Sequence, residues 1–422
     1  MVDKNLFLYD LAVVAIMKGE EPYVKEWLDY HLLAGVDHFY IYDNDSTPEF
    51  KKILQPYIDA GIVTYTPFSG KNRLMDAYNT AVKNYKFECR YMAFVDGDEF
   101  VLPKSKSTIT EVIDEVLSGI QNAGGLSVNW IMYGSNGQEK ADYTRGVIER
   151  FTRRNANTDK QVKAFTNPRK VDYLNIAHFA YFFDGFFSVN EVGGVVIGPF
   201  NDACTSDKIE MHHYHLKSRE EYENRIKRGN ADGLNPRNIE FFENCNKTFN
   251  ETFDDGIVKY RDERQAALIP DGNIENLFPS KQINYQRLLN AISMNLFQSS
   301  ILNTPPQFFA GKMETFLTCL SLSAYLKGKV IDETGVKFFE ESALNSIHKS
   351  LHVGELTIAD LMLLIGEMPK ILTMNYPAVK NIRDSLLQII PQMLEMLRLQ
   401  GRWQDFTDLE YKLDMLKSFK ID

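Results

Sequence analysis

The strongest constraint in this sequence is the alternation of short apolar segments with amphipathic helical segments across residues 1–100. Four segments are predicted strands: LAVVAIM (Leu11–Met17), HFYIYD (His38–Asp43), IVTYTPF and YMAFV. The first is short and almost wholly apolar, as a strand covered on both faces should be. Between the four segments, YVKEWLDYHLLA and RLMDAYNTAVKNY carry the apolar spacing of helices. Such alternation requires crossover connections. It predicts an α/β fold with a mostly parallel, Rossmann-like sheet and helices on both of its faces.

The pattern changes towards the C-terminus. Residues 209–215, IEMHHYH, indicate a strand, and Ser218 with Glu221 forms a capping box that opens the helix REEYENRIKRG. Beyond residue 280 the segments SALNSIHKSLH, IADLMLLIGEMPKIL and IRDSLLQIIPQMLEMLRLQ are helical throughout. We therefore predict an α/β domain at residues 1–275 and an all-α C-terminal domain at residues 276–422. The helical domain most simply serves self-association or docking on a membrane-bound assembly complex.

Charge and cysteine content narrow the classes of partner and compartment. The formal net charge is −10, which disfavours sequence-independent binding to a nucleic-acid backbone. The four cysteines show no CxxC spacing, so we expect neither a zinc ribbon nor a disulfide framework, and a reducing compartment fits best. No apolar run approaches the roughly 18 residues that span a bilayer. We expect a cytoplasmic protein, with peripheral contact at the inner face of the membrane left open.

Five carboxylates follow the ends of predicted strands: Glu20, Asp43, Asp45, Asp96 and Asp98. Parallel α/β sheets bind ligands outside the carboxyl ends of their strands, so these side chains are expected at one rim. In YMAFVDGDEF two carboxylates flank a single glycine, and they repel each other unless a cation or a proton lies between them. Oxygen ligands of this kind suit Mg²⁺ or Mn²⁺, which in turn suit phosphate substrates.

Other interpretations of this acidic turn remain open. Aspartate at a strand end is common as a turn former. An EF-hand is excluded because Gly97 does not occupy the sixth position of the loop. An aspartyl-nucleophile phosphatase would carry a small hydroxyl residue where this chain has Phe100. A different divalent-metal phosphate enzyme, a phosphatase or nucleotidyltransferase, is retained as an alternative, as is a non-enzymatic interaction protein built on the C-terminal helices.

Histidines and basic residues offer further candidate ligands. His212, His213 and His215 fall within four residues, and Mn²⁺ accepts one imidazole beside carboxylates; solvated histidines at a strand end are the alternative. His178 lies among aromatic residues and could equally be a hydrogen-bonded core histidine. Residues 149–170, ERFTRRNANTDKQVKAFTNPRK, are unusually basic, and Lys217 precedes a predicted helix N-terminus. Together these cations could bind a diphosphate or an anionic acceptor, or they could be a solvated face.

Four stretches resemble one family in the right order. IMKGEEPYVKEWLDYHLLAGVDHFYIYDNDST and YMAFVDGDEFVLP are similar to the opening and the D-x-D-E-F motif of the family 92 glycosyltransferases and their family 2-like bacterial relatives. KAFTNPRKVDYLNIAH and HHYHLKSREEYENRIKRG resemble the later K…P…H and H-Y-x-x-K-S motifs. Together they cover about residues 10–230. The resemblance implies a nucleotide-diphospho-sugar-dependent transferase with the A-type glycosyltransferase fold.

The resemblance also assigns roles to individual positions. Asp43 and Asn44 would lie at the base and ribose of the donor, and Glu20 belongs to the same donor-binding set. Asp96 and Asp98 would hold the Mn²⁺ or Mg²⁺ that bridges the diphosphate. The remaining assignments are His213 as third metal ligand with His215 as a bystander, Lys217 as neutraliser of the departing diphosphate, and His178 as a lining residue of the acceptor or donor site.

The catalytic base is not determined by the motifs. An inverting reaction, which the family implies, needs a carboxylate within reach of the acceptor hydroxyl. Asp184 and Glu191, in YFFDGFFSVNEVGG, are candidates, with Asp202 behind them. The predicted function is thus metal-dependent transfer of a sugar to a glycan or lipid-linked saccharide acceptor, in the synthesis of a bacterial surface polysaccharide. Homo-oligomerisation through the C-terminal helices is left open.

Overall fold

The structure is a computed structural model that describes residues 2–183, 185–229, 238–278, 282–300, 304–353 and 356–418. Two compact units divide the chain. The larger unit comprises Tyr9–Phe182 and Phe186–Gln282, and the smaller one comprises Met1–Leu8, Phe183–Gly185 and Ile283–Asp422. The predicted domain boundary at residue 275 lies a few residues before this change at Gln282, and the first eight residues group with the helical unit.

Four parallel strands form one half of the main sheet of the larger unit. Their order across the sheet is β4-β1-β2-β3. They are β1 (Tyr9–Met17), β2 (His38–Asp43), β3 (Val63–Pro67) and β4 (Cys89–Phe94). Every residue of β1 except Asp10 is buried, as the near-continuous apolar run requires of a strand covered on both faces.

The other half of the sheet is mixed. Its strands are β5 (Glu99–Pro103), β6 (Ala123–Met132), β8 (Val162–Thr166), β11 (Phe187–Val189), β12 (Val195–Val196) and β13 (Ile209–His213). Strand β8 runs antiparallel between β4 and β6, while β13 pairs in parallel with β6 and antiparallel with β5. Two small ribbons accompany the sheet: β7 (Arg153–Arg154) with β14 (Thr252–Phe253), and β9 (Val171–Ile176) with β10 (Phe179–Phe182).

Among the described residues of the larger unit there are eight helices. They are α1 (Val24–Leu33), α2 (Pro48–Asp59), α3 (Leu74–Tyr85), α4 (Ile109–Leu117), α5 (Val147–Arg150), α6 (Arg219–Arg228), α7 (Ile239–Thr248) and α8 (Gly256–Leu268). The predicted capping box opens α6: Ser218 accepts from the backbone N–H of Glu221, whose carboxylate accepts from the Ser218 N–H. The core joins the sheet to the helices through side chains such as Trp27, Phe39 and Phe100.

The smaller unit is helical along its described residues. Its helices are α9 (Tyr285–Ser300), α10 (Met313–Tyr325), α11 (Glu333–Ser350), α12 (Ile358–Ile371), α13 (Pro377–Leu399) and α14 (Trp403–Ser418). Thr357 and Asp360 form a capping box at the start of α12, and Pro377 occupies the first position of α13. The predicted fold class, an α/β unit with a mostly parallel sheet followed by a helical C-terminal region, is confirmed.

Among the described residues, no helix is both long enough and apolar enough to cross a bilayer.

Candidate active site

The acidic turn lies at the carboxyl end of β4. Asp96, Gly97 and Asp98 connect β4 to β5, and the indole N–H of Trp27 on α1 donates to the backbone carbonyls of Asp96 and Glu99 at 3.1 and 2.8 Å. A Cβ at Gly97 would meet the Glu20 side chain at 3.4 Å, so a glycine lets the two rim segments approach closely. The buried Trp27 side chain therefore holds the backbone of this turn in place through two hydrogen bonds.

Asp96 is engaged on both carboxylate oxygens. The buried ammonium of Lys163 on β8 lies 2.8 Å from Oδ2, and the Tyr78 hydroxyl donates to Oδ1 at 3.0 Å. Lys163 also lies 3.3 Å from Glu99, whose carboxylate accepts from the Asp96 N–H. Although burial opposes ionisation, Lys163 holds the pKa of Asp96 below its usual range. Burial raises the pKa of Glu99 to about 8, against the pull of Lys163. Asp96 is thus fixed by neighbours inside the protein.

Asp98 contacts a different set of groups. The register of β13 against β5 places His213 opposite Glu99, so His213 Nε2 lies 3.5 Å from Asp98 Oδ1. On the other side, Arg225 of α6 donates to Asp98 Oδ2 at 2.5 Å and to the His215 carbonyl at 3.0 Å. Burial alone would raise the pKa of Asp98, but Arg225 and His213 hold it well below its usual range. Asp98 is a carboxylate in this environment.

Asp98, His213 and His215 converge on one point. One ligating atom from each lies within 4.8 Å of the others. Nε2 of His215 is buried and has no hydrogen-bond partner in the described part of the chain, and burial with the nearby Arg225 holds the pKa of His215 well below its usual range. A neutral imidazole with a free lone pair beside a carboxylate is a donor set that fits a divalent ion such as Mn²⁺.

This set differs in part from the predicted one. Asp98 and His213 come together as predicted, whereas Asp96 has both oxygens on Lys163 and Tyr78. His215, predicted to be a bystander, takes the third place. His215 lies two residues beyond His213, just after the end of β13, and the centres of the two rings are 5.2 Å apart.

A cationic cleft adjoins the three candidate ligands. It has a volume of about 140 Å³ and is lined by Lys217, Arg225 and Arg228 together with Glu20 and His215. Arg228 donates to Glu20 Oε1 at 2.8 Å, while Glu20 Oε2 is buried without a partner among the described residues. Two carboxylates, Glu20 and Glu221, line the cleft with these three cations, so its lining carries one positive charge in excess, which suits an anionic ligand.

Lys217 is held in an unusual backbone conformation. Its φ of +53° lies in the left-handed region, which costs a non-glycine residue on the order of 1–3 kcal/mol. Its ammonium lies 4.2 Å from the centre of the Tyr23 ring. Burial lowers the pKa of Lys217, and the carboxylates of Glu20 and Asp98 oppose that fall. Lys217, which is predicted to neutralise the departing diphosphate, thus lies in the same cleft as Glu20.

Helix α6 is anchored by a buried ion pair. Both oxygens of Glu221 accept from the Arg150 guanidinium at 2.8 and 2.9 Å, and the Tyr23 hydroxyl donates to the same carboxylate at 2.8 Å. The Arg150 and Glu221 side chains are only 1% and 2% exposed. Because positions 221, 225 and 228 share one helix face, this anchor also orients Arg225 and Arg228 towards the site.

Asp43 and Asn44 lie at the carboxyl end of β2. Asp43 accepts from the Tyr65 hydroxyl at 2.6 Å and from the Ser46 N–H at 2.9 Å. The Asn44 amide donates to the carbonyls of Phe68 and Gly70 at 2.9 and 2.8 Å. These contacts hold the loop after β3 against the rim. Both residues are at the predicted edge of the sheet, where their present contacts shape the loop.

His178 lies in the turn of the β9–β10 ribbon. Its ring packs edge-on against Trp130, with centres 4.8 Å apart, and Trp130 also contacts the His213 ring at 4.3 Å. Burial and the Lys163 charge lower the pKa of His178 to about 4, so the ring is neutral. Its Nδ1 is buried without a hydrogen-bond partner among the described residues. Trp130 therefore contacts both His178 and the candidate ligand His213, and the role of His178 as a lining residue of the acceptor or donor site stays a prediction.

The carboxylates predicted as catalytic bases lie elsewhere or are otherwise engaged. Asp184 lies outside the described residues. Glu191 is buried, and its carboxylate accepts from the backbone N–H groups of three residues in the segment 207–209, at 2.6, 2.8 and 3.0 Å. That is the start of β13, about 13 Å along the strand from His213 at its end. Asp202 is 81% exposed and pairs with Lys160 at 2.7 Å. Glu191 therefore has a structural role as a cap of three amides.

The basic stretch 149–170 is dispersed over separate structural contacts. Arg150 pairs with Glu221, and Arg154 pairs with Asp254 at 2.7 Å. The buried Arg169 guanidinium donates to three backbone carbonyls, of Lys86, Cys89 and Arg90. The stretch does not act as one cationic surface. The positive charge of the cleft comes from Lys217 and α6 instead.

Several residues of the site were missed at the level of sequence. Lys163 was counted only as one cation of a basic stretch, and Arg225 and Arg228 were assigned no role. The helical spacing of Glu221, Arg225 and Arg228 was a usable signal, since it places all three on the face that begins at the capping box. No local sequence pattern indicates that Lys163 pairs with Asp96, because the two residues are 67 positions apart in the chain.

Comparison with known proteins bears on this geometry. The model of glycosyltransferase family 92 matches residues 14–264, which include every described residue of the site. The chain belongs to glycosyltransferase family 92. The resemblance in the four motifs is thereby confirmed.

Relatives of this family 92 chain match it over limited lengths. A family 92 protein of Ricinus communis is 23% identical over 193 residues, which are 45% of this chain and 34% of that protein. The galactan β-1,4-galactosyltransferase GALS2 of Arabidopsis thaliana is 30% identical over 100 residues, 21% of this chain and 19% of that protein. The chain thus spans about a third or less of these relatives. The crystal structure of S. aureus TarS 1–349 overlaps 79% of this chain and 90% of its own, with 15% identity and a TM-score of 0.26.

Proposed function

We propose that this family 92 chain is a metal-dependent glycosyltransferase that moves a sugar from a nucleotide-diphospho-sugar to a saccharide acceptor. One observation carries the proposal. Asp98, His213 and His215 converge beside a cleft lined by Lys217, Arg225 and Arg228, at the strand ends where α/β sheets bind ligands. A carboxylate–imidazole donor set next to three cations suits a diphosphate with its counter-ion, which is the leaving group of such a transfer.

Each residue of the candidate active site has a role in the proposed transfer. Asp98, His213 and His215 would hold a divalent ion, whose charge offsets the negative charge that grows on the leaving diphosphate. Lys217 contributes a positive charge in the same cleft, with its ammonium over the Tyr23 ring. Arg225 and Arg228 bind diphosphate oxygens through paired N–H donors. Asp96, fixed by Lys163 and Tyr78, is left to accept a hydrogen bond from the donor.

The base, the stereochemical outcome and the acceptor belong to the proposal as well. We retain Asp184 as candidate base for an inverting reaction and place His178 at the acceptor side, because its neutral ring adjoins Trp130 and His213. UDP-galactose is the first donor to test, and a β-1,4-linked galactan the first acceptor, since relatives are named galactan galactosyltransferases. A lipid-linked saccharide of a bacterial surface polysaccharide is the other acceptor, with the enzyme in the cytoplasm at the inner face of the membrane.

Nucleotide binding tests the proposal directly. The full chain is heated with UDP or GDP in the presence and absence of Mn²⁺, because a ligand that binds only the folded protein raises the melting temperature. We expect stabilisation by one nucleotide that requires the metal, and slow hydrolysis of the matching nucleotide sugar. Asp98→Asn should abolish both effects. The matched control Asp202→Asn alters an exposed carboxylate outside the site and should retain them.

The alternatives give different results in the same experiment. A phosphatase would release phosphate from UDP or GDP. A nucleotidyltransferase, with water or added pyrophosphate as the attacking group, would split the nucleotide sugar into a nucleotide and a sugar phosphate, so the sugar would keep its bond to phosphate. A non-enzymatic interaction protein would bind none of the nucleotides, and Asp98→Asn would behave like the wild type. Either outcome contradicts the proposed transfer.

A further inference from the structure

The C-terminal end of α11 presents two histidine rings that converge. His348 lies in the last turn of the helix, and His352 lies two residues beyond the helix end at Ser350, in a turn where its backbone N–H donates to the Lys349 carbonyl at 3.2 Å. Their Nε2 atoms are 3.2 Å apart, and the rings are perpendicular at 89° with centres 4.9 Å apart. Neither residue belongs to the candidate active site.

The distance and the ring positions can be compared with two bonding arrangements. Two nitrogens separated by 3.2 Å, each about 2.05 Å from a shared ion, subtend about 103° at that ion, near the tetrahedral value. Their ring centres would then lie about 5.0 Å apart, whereas a straight N–H···N hydrogen bond of this length would separate them by about 5.5 Å. The observed 4.9 Å matches the shared ion.

The surroundings of the pair are consistent with a bound cation. Ser385 of α13 places its hydroxyl 3.4 Å from His352 Nε2, so an oxygen from a second helix adjoins the two nitrogens. The partly buried ring of His348 has a pKa that burial and the neighbouring His352 lower, which favours the neutral form that binds metals. The C-terminus of a helix also carries partial negative charge. His352 is exposed, so water can fill the remaining positions.

We infer that His348 and His352 form a second metal site, which takes a borderline divalent ion such as Zn²⁺ or Ni²⁺ through two imidazole nitrogens. Imidazole selects such ions over Mg²⁺ and Ca²⁺, which prefer oxygen. The site is independent of the proposed transfer and of its donor. Because Ser385 lies on α13, a bound ion would join the end of α11 to α13 within the helical unit.

Metal binding to the full chain tests this inference. Equilibrium dialysis against Zn²⁺, in excess Mg²⁺, counts the ions bound to the wild type, His348→Gln, His352→Gln and the double variant. Glutamine keeps a hydrogen-bonding side chain of similar length in the helix but removes the imidazole nitrogen. We expect the double variant to bind one fewer Zn²⁺ per chain and each single variant to bind that ion at least about tenfold more weakly.

A control separates the two sites. His213→Gln alters the candidate active site and should leave the ion at His348 and His352 in place. Adding Zn²⁺ should therefore still raise its melting temperature, and that rise should be lost when His348→Gln and His352→Gln are added to His213→Gln. If the double variant binds as many Zn²⁺ ions as the wild type, with the same affinity, the second site does not exist. The inference would also be overturned if His213→Gln lost bound Zn²⁺ and the variants of His348 and His352 did not.

Discussion

The buried pair of Arg150 and Glu221 should set a large, pH-dependent part of the stability of the α/β unit. The perturbation is Glu221→Gln, which keeps the size of the side chain and removes its charge. In the wild type the carboxylate accepts two bonds from Arg150, one from Tyr23 and the cap bonds of Ser218. The variant leaves the Arg150 guanidinium buried without its counter-ion.

The magnitude follows from the pKa. Burial would raise the pKa of Glu221, but hydrogen bonds from Arg150 and Ser218 lower it from 4.5 to about 2. A fall of about 2.5 in pKa corresponds to about 3 kcal/mol of stability. Removing one partner of a buried ion pair commonly costs about 3–5 kcal/mol, which agrees with this value. We therefore expect Glu221→Gln to lower the free energy of unfolding by about 3 kcal/mol at pH 7.

The sign of the pH dependence is determined by the direction of the pKa change. Because the folded-state pKa of Glu221 is depressed, its contribution is complete above the unfolded-state value of 4.5 and is lost as the pH falls towards about 2. The difference between wild type and Glu221→Gln should thus be constant from pH 7 to about pH 5 and should shrink below pH 4.5.

Urea unfolding followed by tryptophan fluorescence at pH 7, 5, 4 and 3.5 measures this difference on the full chain. Glu220→Gln is the matched control, since Glu220 is the preceding residue of the same helix and forms an exposed pair with Lys140 at 3.5 Å. It should change the unfolding free energy little. If Glu221→Gln costs no more than Glu220→Gln at pH 7, or if its cost is the same at pH 3.5 as at pH 7, the pair does not stabilise the fold in the way described.

Three other predictions concern the environment of the candidate active site. Lys163→Met leaves the buried Glu99 and the half-buried Asp96 without their cation, so the free energy of unfolding should fall by about 3 kcal/mol in urea, and an unchanged midpoint would contradict the ion pair. Tyr78→Phe removes one hydrogen bond to Asp96 and should cost about 1 kcal/mol in donor binding by calorimetry; wild-type affinity would show that this bond does not orient Asp96. Arg228→Gln should raise the KM for the nucleotide sugar while kcat changes less, and a selective fall in kcat would refute a role in ground-state binding.

Much of the α/β unit could be predicted from periodicity alone. The strands β1 to β4 are predicted from short apolar segments, and each overlaps the segment in which it is expected. Burial of nearly the whole strand is confirmed for β1, whereas β3, at the edge of the sheet, is buried only at Val63. The capping box at Ser218 likewise identified the start of α6. The register of the strands is harder to predict from the sequence, because β13 pairs with β5 and β6, which are about a hundred residues away in the chain.

The site was predictable only in part for the same reason. Asp98 and His213 belong to recognisable motifs, and the structure brings them together. Glu191 is a candidate catalytic base by its sequence, but its carboxylate accepts hydrogen bonds from three backbone amides at the start of β13. Nothing in its neighbours in the sequence specifies those amides, because they are supplied by residues 207–209.

The sequence by itself determined the order of strands and helices and the family, and it placed the acidic turn at a strand end, because these depend on local periodicity and short motifs. Tertiary structure alone decided which charges meet. Lys163 lies against Asp96, and Arg225 reaches Asp98 across 127 residues of chain. Coulomb interactions and hydrogen bonds act over a few ångströms of space, whatever the separation along the chain, so their partners emerge only when the sheet and α6 have packed.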